Sequence, residues 1–216
     1  MPSSTHSSAR KHTVRKPRQA RSQRTRAAIL KAAAQLLGQR GHAEVSTNDI
    51  AKRAGVSIGS LYEYFPDRQA IVRELVAAHL SSAEQLFAAR APATMAGART
   101  RPLRALLAEL VETMLQFHAD DPKAHRILSS QARLSRAERT RVAQIENGAI
   151  AWLTALLAVN AEVRIRPREL AARMVVATVD ALTHRWILEP SGEPIPIERL
   201  SAELTDMLLA YLTLER

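Results

Sequence analysis

The chain has 216 residues and a formal net charge of +10 at pH 7, from 31 Lys and Arg against 21 Asp and Glu. It contains no Cys, which excludes disulfides, thiolate metal sites and a cysteine nucleophile. Because 46% of the residues are hydrophobic, only 4% are aromatic and Gly is scarce, the composition favours an all-helical protein over a sheet protein.

The positive charge is concentrated in the N-terminal third. Residues 1–68 contain 13 Lys and Arg against 4 Asp and Glu, whereas the other 148 residues are nearly neutral, with 18 against 17. Clustered positive charge is typical of a protein that binds nucleic acid and, less often, of one that binds an anionic membrane. We see no run of 18 apolar residues and no signal peptide, so we expect a soluble, cytoplasmic protein with no membrane partner.

The first 20 residues are rich in Ser, Arg and Lys and lack apolar periodicity, so we predict a disordered basic arm over residues 1–20. This arm is either a solvated leader or a segment that touches DNA phosphates or the minor groove. Next, apolar residues recur on one helical face and predict a first helix over residues 21–40, which Gly41 ends. These apolar residues are Ile29, Leu30, Ala33, Leu36 and Leu37.

Residues 46–65 predict two short helices joined by a sharp turn. Ser46 and Asp49 have the spacing of a capping box for the first helix, and Ser57 can cap the second. Gly55 follows the first helix, where a left-handed residue commonly ends a helix. The apolar surface between the helices is expected from Ile50, Ala51, Ala54, Val56, Leu61 and Phe65. A helix, a short turn with Gly and a second helix form a helix-turn-helix, whose second helix enters the DNA major groove. The alternative is an αα-hairpin with a solvated outer face.

A fourth helix is predicted after Pro66, with Asp67 as its cap and its end near Arg90. The following residues, 91–102, are rich in small residues, Pro and Gly, and they predict a loop.

Three motifs resemble the DNA-binding domain of the TetR family of bacterial transcriptional regulators. They are ILKAAAQLLGQRG in the first helix, TNDIAKRAGVSIGSLYEYF in the helix-turn-helix, and Asp67 and Arg68 at the start of a long helix. The close resemblance covers residues 22–76, about a quarter of the chain. It implies a DNA-binding domain over residues 21–66 and a C-terminal domain over residues 67–216 that binds an effector and forms a homodimer.

The outer face of the second helix of the helix-turn-helix supplies most of the predicted DNA contacts. The full set is Arg24, Thr47, Ser57, Ile58, Gly59, Ser60, Tyr62, Tyr64 and Arg68. We assign Ile58, Gly59 and Ser60 to base edges, Ile58 through a thymine methyl group, and assign Thr47, Arg68 and the two tyrosines mainly to phosphates. The resemblance places Arg68 and the arginines at the start of the first helix, Arg21, Arg24 and Arg26, near the DNA backbone. For the latter three, a solvated basic turn is the alternative.

The C-terminal part predicts four or five further helices. Their ranges are 103–119, a short segment over 123–131, 135–159, 167–188 and 197–214. Ser135 and Glu138 have the spacing of a second capping box.

The last two predicted helices have broad apolar faces, which we interpret as the surface of a homodimer; ordinary core burial is the alternative. A second, independent argument favours a dimer, because one helix-turn-helix reads few base pairs and a two-fold dimer doubles the length of DNA sequence that is read. The resemblance also implies an effector cavity, although the apolar candidates could be plain core. The candidates are Met114, Phe117, His118, Trp152 and Asp180.

No other chemistry is indicated. The seven His include no His-x-x-x-His pair, so we predict no metal site, and no phosphate loop, nucleophile elbow or paired carboxylates point to an enzyme or a cofactor. The sequence therefore predicts a transcriptional repressor that binds double-stranded operator DNA and is released by a small molecule of unknown identity. The alternative is a basic protein that binds nucleic acid or membrane surfaces without sequence specificity.

Overall fold

The computed structural model describes residues 15–40, 44–120, 122, 134–188, 193 and 195–215. These residues form eight α-helices and one π-helix with no strand among them, which confirms the predicted all-α fold. The helices are α1 (Arg15–Arg40), α2 (Thr47–Ala54), α3 (Ile58–Tyr64), α4 (Arg68–Gly97), α5 (Leu103–Asp120), α6 (Arg136–Val159), α7 (Arg168–Thr183) with the π-helix His184–Leu188 directly after it, and α8 (Ile197–Thr213).

The first helix begins earlier than predicted. Residues 15–20, expected in a disordered arm, belong to α1, so this part of the prediction is wrong. Pro17 lies in the first helical turn, where backbone N–H groups have no intrahelical partner and a missing one costs little. The rest of the predicted arm, Gly41 and the segment 123–131 lie outside the described residues.

An N-terminal core joins α1, α2, α3 and the first half of α4. Its largest fully buried side chains are Ile29, Ile50, Leu61, Phe65 and Ile71. Leu134, just before α6, is buried in the same core, and Val142 and Ile145 of α6 pack against it. The boundary between the two predicted domains stays a prediction.

Helix α4 runs seven residues beyond its predicted end near residue 90 and contains Pro92. The predicted loop is therefore wrong over residues 91–97. A proline inside a helix removes one backbone hydrogen bond and costs about 3 kcal/mol. Tertiary packing offsets this cost, because Ala91 and Thr94 are buried and Thr94 donates a hydrogen bond to Glu109 of α5, 3.0 Å away.

A second core holds α5, α6, α7 and α8 together, with α5 against α8 and α6 against α7. Its fully buried leucines include Leu103, Leu107, Leu115, Leu157 and Leu212. The predicted capping box at the start of α6 is confirmed, with Ser135 and Glu138 each bonding the other's backbone N–H.

Helix α6 is the helix among the described residues that could cross a membrane by length and composition, with a mean hydropathy of 1.4 over 18 residues, 22% of them buried in this chain. One such helix is weak support for a membrane span. Ile150, Leu153 and Leu157 of α6 lie in the second core, and Arg141 pairs with Glu84 of α4. Part of this helix thus packs against the rest of the chain.

Candidate nucleic-acid interface and effector cavity

The turn between α2 and α3 has the local geometry that the sequence predicts. Ser46 accepts the backbone N–H of Asp49 at 3.2 Å, and the Asp49 carboxylate accepts the N–H of Ser46 at 2.9 Å, which completes the capping box. Gly55 has φ 69°, the left-handed conformation that glycine adopts without steric cost. Ser57 accepts the N–H of Ser60 at 3.0 Å and so caps α3. These contacts fix the angle between the two helices.

One face of α3 is buried and the opposite face is open to solvent. Leu61 and the following Phe65 are buried against the N-terminal core. Ile58 is 37% exposed and Tyr62 is 50% exposed, and Gly59 is also exposed. This open face of a short helix in a helix-turn-helix is therefore a candidate contact surface.

Hydrogen bonds connect several of the residues predicted to contact DNA. Thr47 Oγ1 lies 3.2 Å from the Tyr62 hydroxyl, which joins the start of α2 to the exposed face of α3. The Ser57 hydroxyl donates to the Ser60 hydroxyl at 3.0 Å. Each of these hydrogen bonds thus joins two residues that are predicted to contact DNA.

Other predicted DNA contacts are engaged in the fold. Arg68 Nη1 donates to the carbonyl of Val45 at 2.6 Å and its side chain is partly buried, so Arg68 holds the start of α4 against the chain before α2. Tyr64 is half-buried against the N-terminal core. Arg24, by contrast, is exposed on α1. DNA contact by all three stays a prediction.

The sequence also placed Arg26 near DNA, but in the structure its guanidinium pairs with the Glu74 carboxylate of α4. It also lies over the Phe65 ring, 5.3 Å from the ring centre. The hydrogen bond to Glu74 raises the pKa of Arg26, so the guanidinium stays charged. The partners are 48 residues apart, and no local pattern reveals such a pair.

A cavity of about 370 Å³ lies among α4, α5 and α6. Three of the predicted effector residues, Met114, Phe117 and Trp152, line it. Trp152 donates its indole N–H to the Ala91 carbonyl at 3.3 Å and meets the Phe87 ring edge to face, with ring centres 5.6 Å apart. The cavity is therefore a mainly apolar space with a fixed aromatic wall.

The sequence did not predict the polar groups at the cavity wall. Arg90 donates to the Thr113 hydroxyl at 3.3 Å, and Glu109 accepts from Thr94 and pairs with Arg101 at 2.8 Å. The hydrogen bond from Arg101 lowers the pKa of Glu109, which keeps its carboxylate ionised. These polar residues all lie within residues 90–113. Thr94 lines the cavity only because α4 continues beyond its predicted end.

His118 and Asp180, the other two predicted effector residues, do not line this cavity. His118 is buried near the end of α5, and its Nδ1 lies 2.8 Å from the Met114 carbonyl. Asp180 is exposed on α7 beside His184, whose Nδ1 lies 3.3 Å from a carboxylate oxygen of Asp180. The side chains of His118, Asp180 and His184 lie close to one another, outside the lining of the cavity.

An exposed apolar surface covers α7 and α8. Its most exposed side chains are Leu170, Met174 and Met207, each about half exposed, with Trp186 and Ile195 at 37% and 41%. A groove of about 600 Å³ lies within this surface, with Leu182, Trp186 and Met207 in its lining. The sequence predicted broad apolar faces on these same two helices.

Comparisons with known proteins bear on both halves of the chain. Residues 102–212 match the family model described as Tetracyclin repressor-like, C-terminal domain, and residues 29–75 match Bacterial regulatory proteins, tetR family. Among curated proteins, the HTH-type transcriptional regulator EthR of Mycolicibacterium smegmatis is 39% identical over 61 residues. That match spans 28% of this chain and 28% of EthR.

Solved structures share the fold over most of their length. A bacterial regulatory protein in the tetR family from Rhodococcus RHA1 superposes with a TM-score of 0.67 and 19% identity, over 89% of this chain and 98% of that one. PfmR from Thermus thermophilus has a TM-score of 0.64 and 20% identity, over 87% and 96%. The fatty acid degradation regulator FadR from Bacillus halodurans has a TM-score of 0.62 and 20% identity, also over 87% and 96%.

Proposed function

Because this chain belongs to the TetR family of bacterial transcriptional regulators, we propose that it is a homodimeric repressor whose α3 helices bind operator DNA and whose C-terminal cavity binds a releasing effector. The observation that carries the DNA-binding part is the exposed face of α3, held at a fixed angle by the Ser46 and Ser57 caps and the Gly55 turn. The protein acts in the cytoplasm and is not an enzyme.

The proposed contacts follow from which atoms of the N-terminal domain are exposed. Ile58, Gly59 and Ser60 open α3 and meet base edges, Ile58 through a thymine methyl group. The exposed ring and hydroxyl of Tyr62, with Thr47 beside it, meet phosphates. Arg24 adds a phosphate contact from α1. The residues of α1 before it contribute positive charge, which strengthens binding without selecting a sequence.

The proposed partner of the apolar surface on α7 and α8 is a second copy of the chain. Half-exposed side chains such as Leu170, Met174 and Met207 would be costly in water and gain about 25 cal/mol for each Å² of apolar area they bury. A two-fold dimer through this surface presents two α3 helices to one face of the duplex, as a palindromic site needs.

The proposed effector is a mainly apolar molecule that fits a cavity of about 370 Å³. Phe117, Trp152 and Met114 supply apolar contacts, and Arg90 beside Thr113 offers the donors for one polar group. An effector releases DNA only through its preference for the conformation in which the two α3 helices are wrongly spaced.

Deletion of residues 1–14 distinguishes this function from nonspecific binding of nucleic acid or membranes. The deletion removes Arg10 and Lys11 of the predicted basic arm and leaves α1 whole. We expect the shortened protein to keep its preference for operator over random duplex, measured by competition in a mobility-shift titration. Loss of most affinity for every duplex, with no preference in either protein, would instead support the nonspecific alternative.

A further inference from the structure

We propose that His118, Asp180 and His184 form a binding site for a divalent transition-metal ion of the Zn²⁺ class. The site goes beyond the proposed regulatory function, since neither operator recognition nor the effector cavity requires it. Two of its residues were predicted as effector contacts, and the sequence predicted no metal site at all.

The three side chains converge from different parts of the fold. His118 lies near the end of α5, Asp180 in the last turn of α7, and His184 at the start of the π-helix. One potential ligand atom from each lies within 4.8 Å of the other two, the only such group of His, Cys, Asp or Glu within the described ranges. The set is two imidazoles and one carboxylate. Helix α5 supplies the imidazole of His118 from a distant part of the chain.

Both imidazoles are held in the orientation that metal-binding histidines have. The Nδ1 of His118 lies 2.8 Å from the Met114 carbonyl, and the Nδ1 of His184 lies 2.8 Å from the Asp180 carbonyl. A carbonyl can only accept, so each Nδ1 donates in this structure and an ion would bind at the Nε2 atoms. The Nδ1 of His184 also lies 3.3 Å from a carboxylate oxygen of Asp180, so the Asp180 side chain has to turn from this atom to reach an ion at Nε2. A hydrogen bond from the second ring nitrogen to a carbonyl is the usual support of a ligating histidine.

The donor set selects the class of metal. Imidazole nitrogens favour Zn²⁺, Ni²⁺, Cu²⁺ and Co²⁺, whereas Mg²⁺ and Ca²⁺ prefer sites made of oxygen. Bonds of about 2.0 to 2.2 Å bring ligand atoms to roughly 3 to 4 Å of one another, so a bound ion must draw the group together slightly. Asp180 is exposed and His184 is half-buried, and both can shift toward the fixed, buried His118. On the solvent-exposed side of the site, water can occupy the remaining coordination positions of the ion.

A bound ion would fasten α5 to the junction of α7 and the π-helix. His118 follows Phe117, which lines the effector cavity, and their rings meet edge to face with centres 5.8 Å apart. The π-helix begins at the metal-binding His184 itself, and single π-turns within helices are frequent at functional sites. The same residues also have a structural role without a metal, because Asp180 and His184 form an i,i+4 contact and the rings of His184 and His118 meet edge to face with centres 5.5 Å apart. The experiment distinguishes this structural role from metal binding.

The test uses the untagged full-length chain, stripped of metal with a chelator. We expect titration with ZnCl₂ in a calorimeter to give one tight site per chain and a rise in the melting temperature, whereas MgCl₂ gives neither. Asp180→Asn and His184→Gln, both at positions with solvent access, should each weaken Zn²⁺ binding by at least about tenfold while the metal-free melting temperature changes little.

Glu169→Gln is the matched control, since it removes a carboxylate from another exposed i,i+4 pair on α7, with Arg173. It should bind Zn²⁺ as the unsubstituted protein does. Substitution by Co²⁺ adds a second readout, because a visible absorption band of the bound ion should disappear in both site variants. The proposal is overturned if Zn²⁺ does not bind, or if it binds equally well to the two site variants and to the control.

Discussion

Gly59 lies on the exposed face of α3, where an added methyl group would meet only the Ser57 hydroxyl, at 3.9 Å. Its backbone needs no glycine, since Gly55 alone of the described glycines has a positive φ. The fold of the free protein therefore does not require glycine at position 59. A close approach of α3 to DNA would require it, because a side chain there would meet the DNA.

We therefore expect Gly59→Ala to leave the fold intact or to stabilise it by about 0.5–1 kcal/mol, as replacing glycine in a helix does, and to weaken operator binding strongly. Thermal unfolding and a DNA titration of the same variant measure the two effects. Gly148→Ala is the control, because Gly148 also lies in a helix with open space around it, far from α3 in sequence. Gly148 lines the cavity, so both variants are compared without effector. An operator affinity equal to that of the control would show that base edges do not approach Gly59.

Gly55 is a different case, because its φ of 69° lies in the left-handed region. Gly55→Ala should destabilise the protein by about 1–2 kcal/mol, since a side chain in this conformation crowds the backbone. Gly55→Asn should cost less, because asparagine tolerates this region better. Denaturant unfolding of both variants checks the order, and equal stabilities for glycine and alanine would contradict the αL turn.

At the scale of helices, α4 and α6 connect the N-terminal core with the cavity. Helix α4 does not make this connection alone, because Val142 and Ile145 of α6 also pack against the N-terminal core. Arg141 of α6 adds a pair with Glu84 and a hydrogen bond to Ser81 at 2.9 Å, both on α4. A ligand between α4 and α6 can thus act on the DNA-binding domain through both helices.

The chain has two tryptophans, and they report on two different places, since Trp152 lines the cavity and Trp186 lines the groove on the apolar surface. We expect a compound that releases operator DNA to change the fluorescence of Trp186→Phe, in which only Trp152 emits. The same compound should leave the emission of Trp152→Phe unchanged, provided that this variant still melts cooperatively. A response from Trp186 alone would move the effector site to the α7 and α8 surface.

Local signals explain which elements the sequence predicts well. The two capping boxes, the Ser57 cap and the Gly55 turn each depend on residues within a few positions of one another, and all are present in the structure. The features that the sequence did not predict are nonlocal. Helix α4 continues through Pro92 to Thr94, which bonds to Glu109 of α5, Arg68 donates to the Val45 carbonyl, and the His118 group forms only where α5 meets α7. Local patterns of residues along the sequence do not predict such contacts.

At the scale of the whole molecule, the apolar surface on α7 and α8 predicts the oligomeric state. Met174→Glu places a charge on a side chain that is half exposed in the single chain, so the monomer should remain folded. The dimer should dissociate, because a charge buried without a partner is costly, and operator affinity should fall with it. Sedimentation at micromolar concentration checks this, with Ala143→Glu on the exposed side of α6 as the control. Dimers of unchanged strength would place the interface elsewhere.

The most direct test of the whole account is selection of bound sequences from a pool of random duplexes by the full-length protein. A dimer that reads DNA through two α3 helices should enrich a palindrome whose half-sites lie about 34–36 Å apart, one turn of B-DNA. The same selection with Gly59→Ala should lose the enrichment. If the protein enriches no sequence, or enriches a single site without two-fold symmetry, it is not a symmetric, sequence-specific regulator.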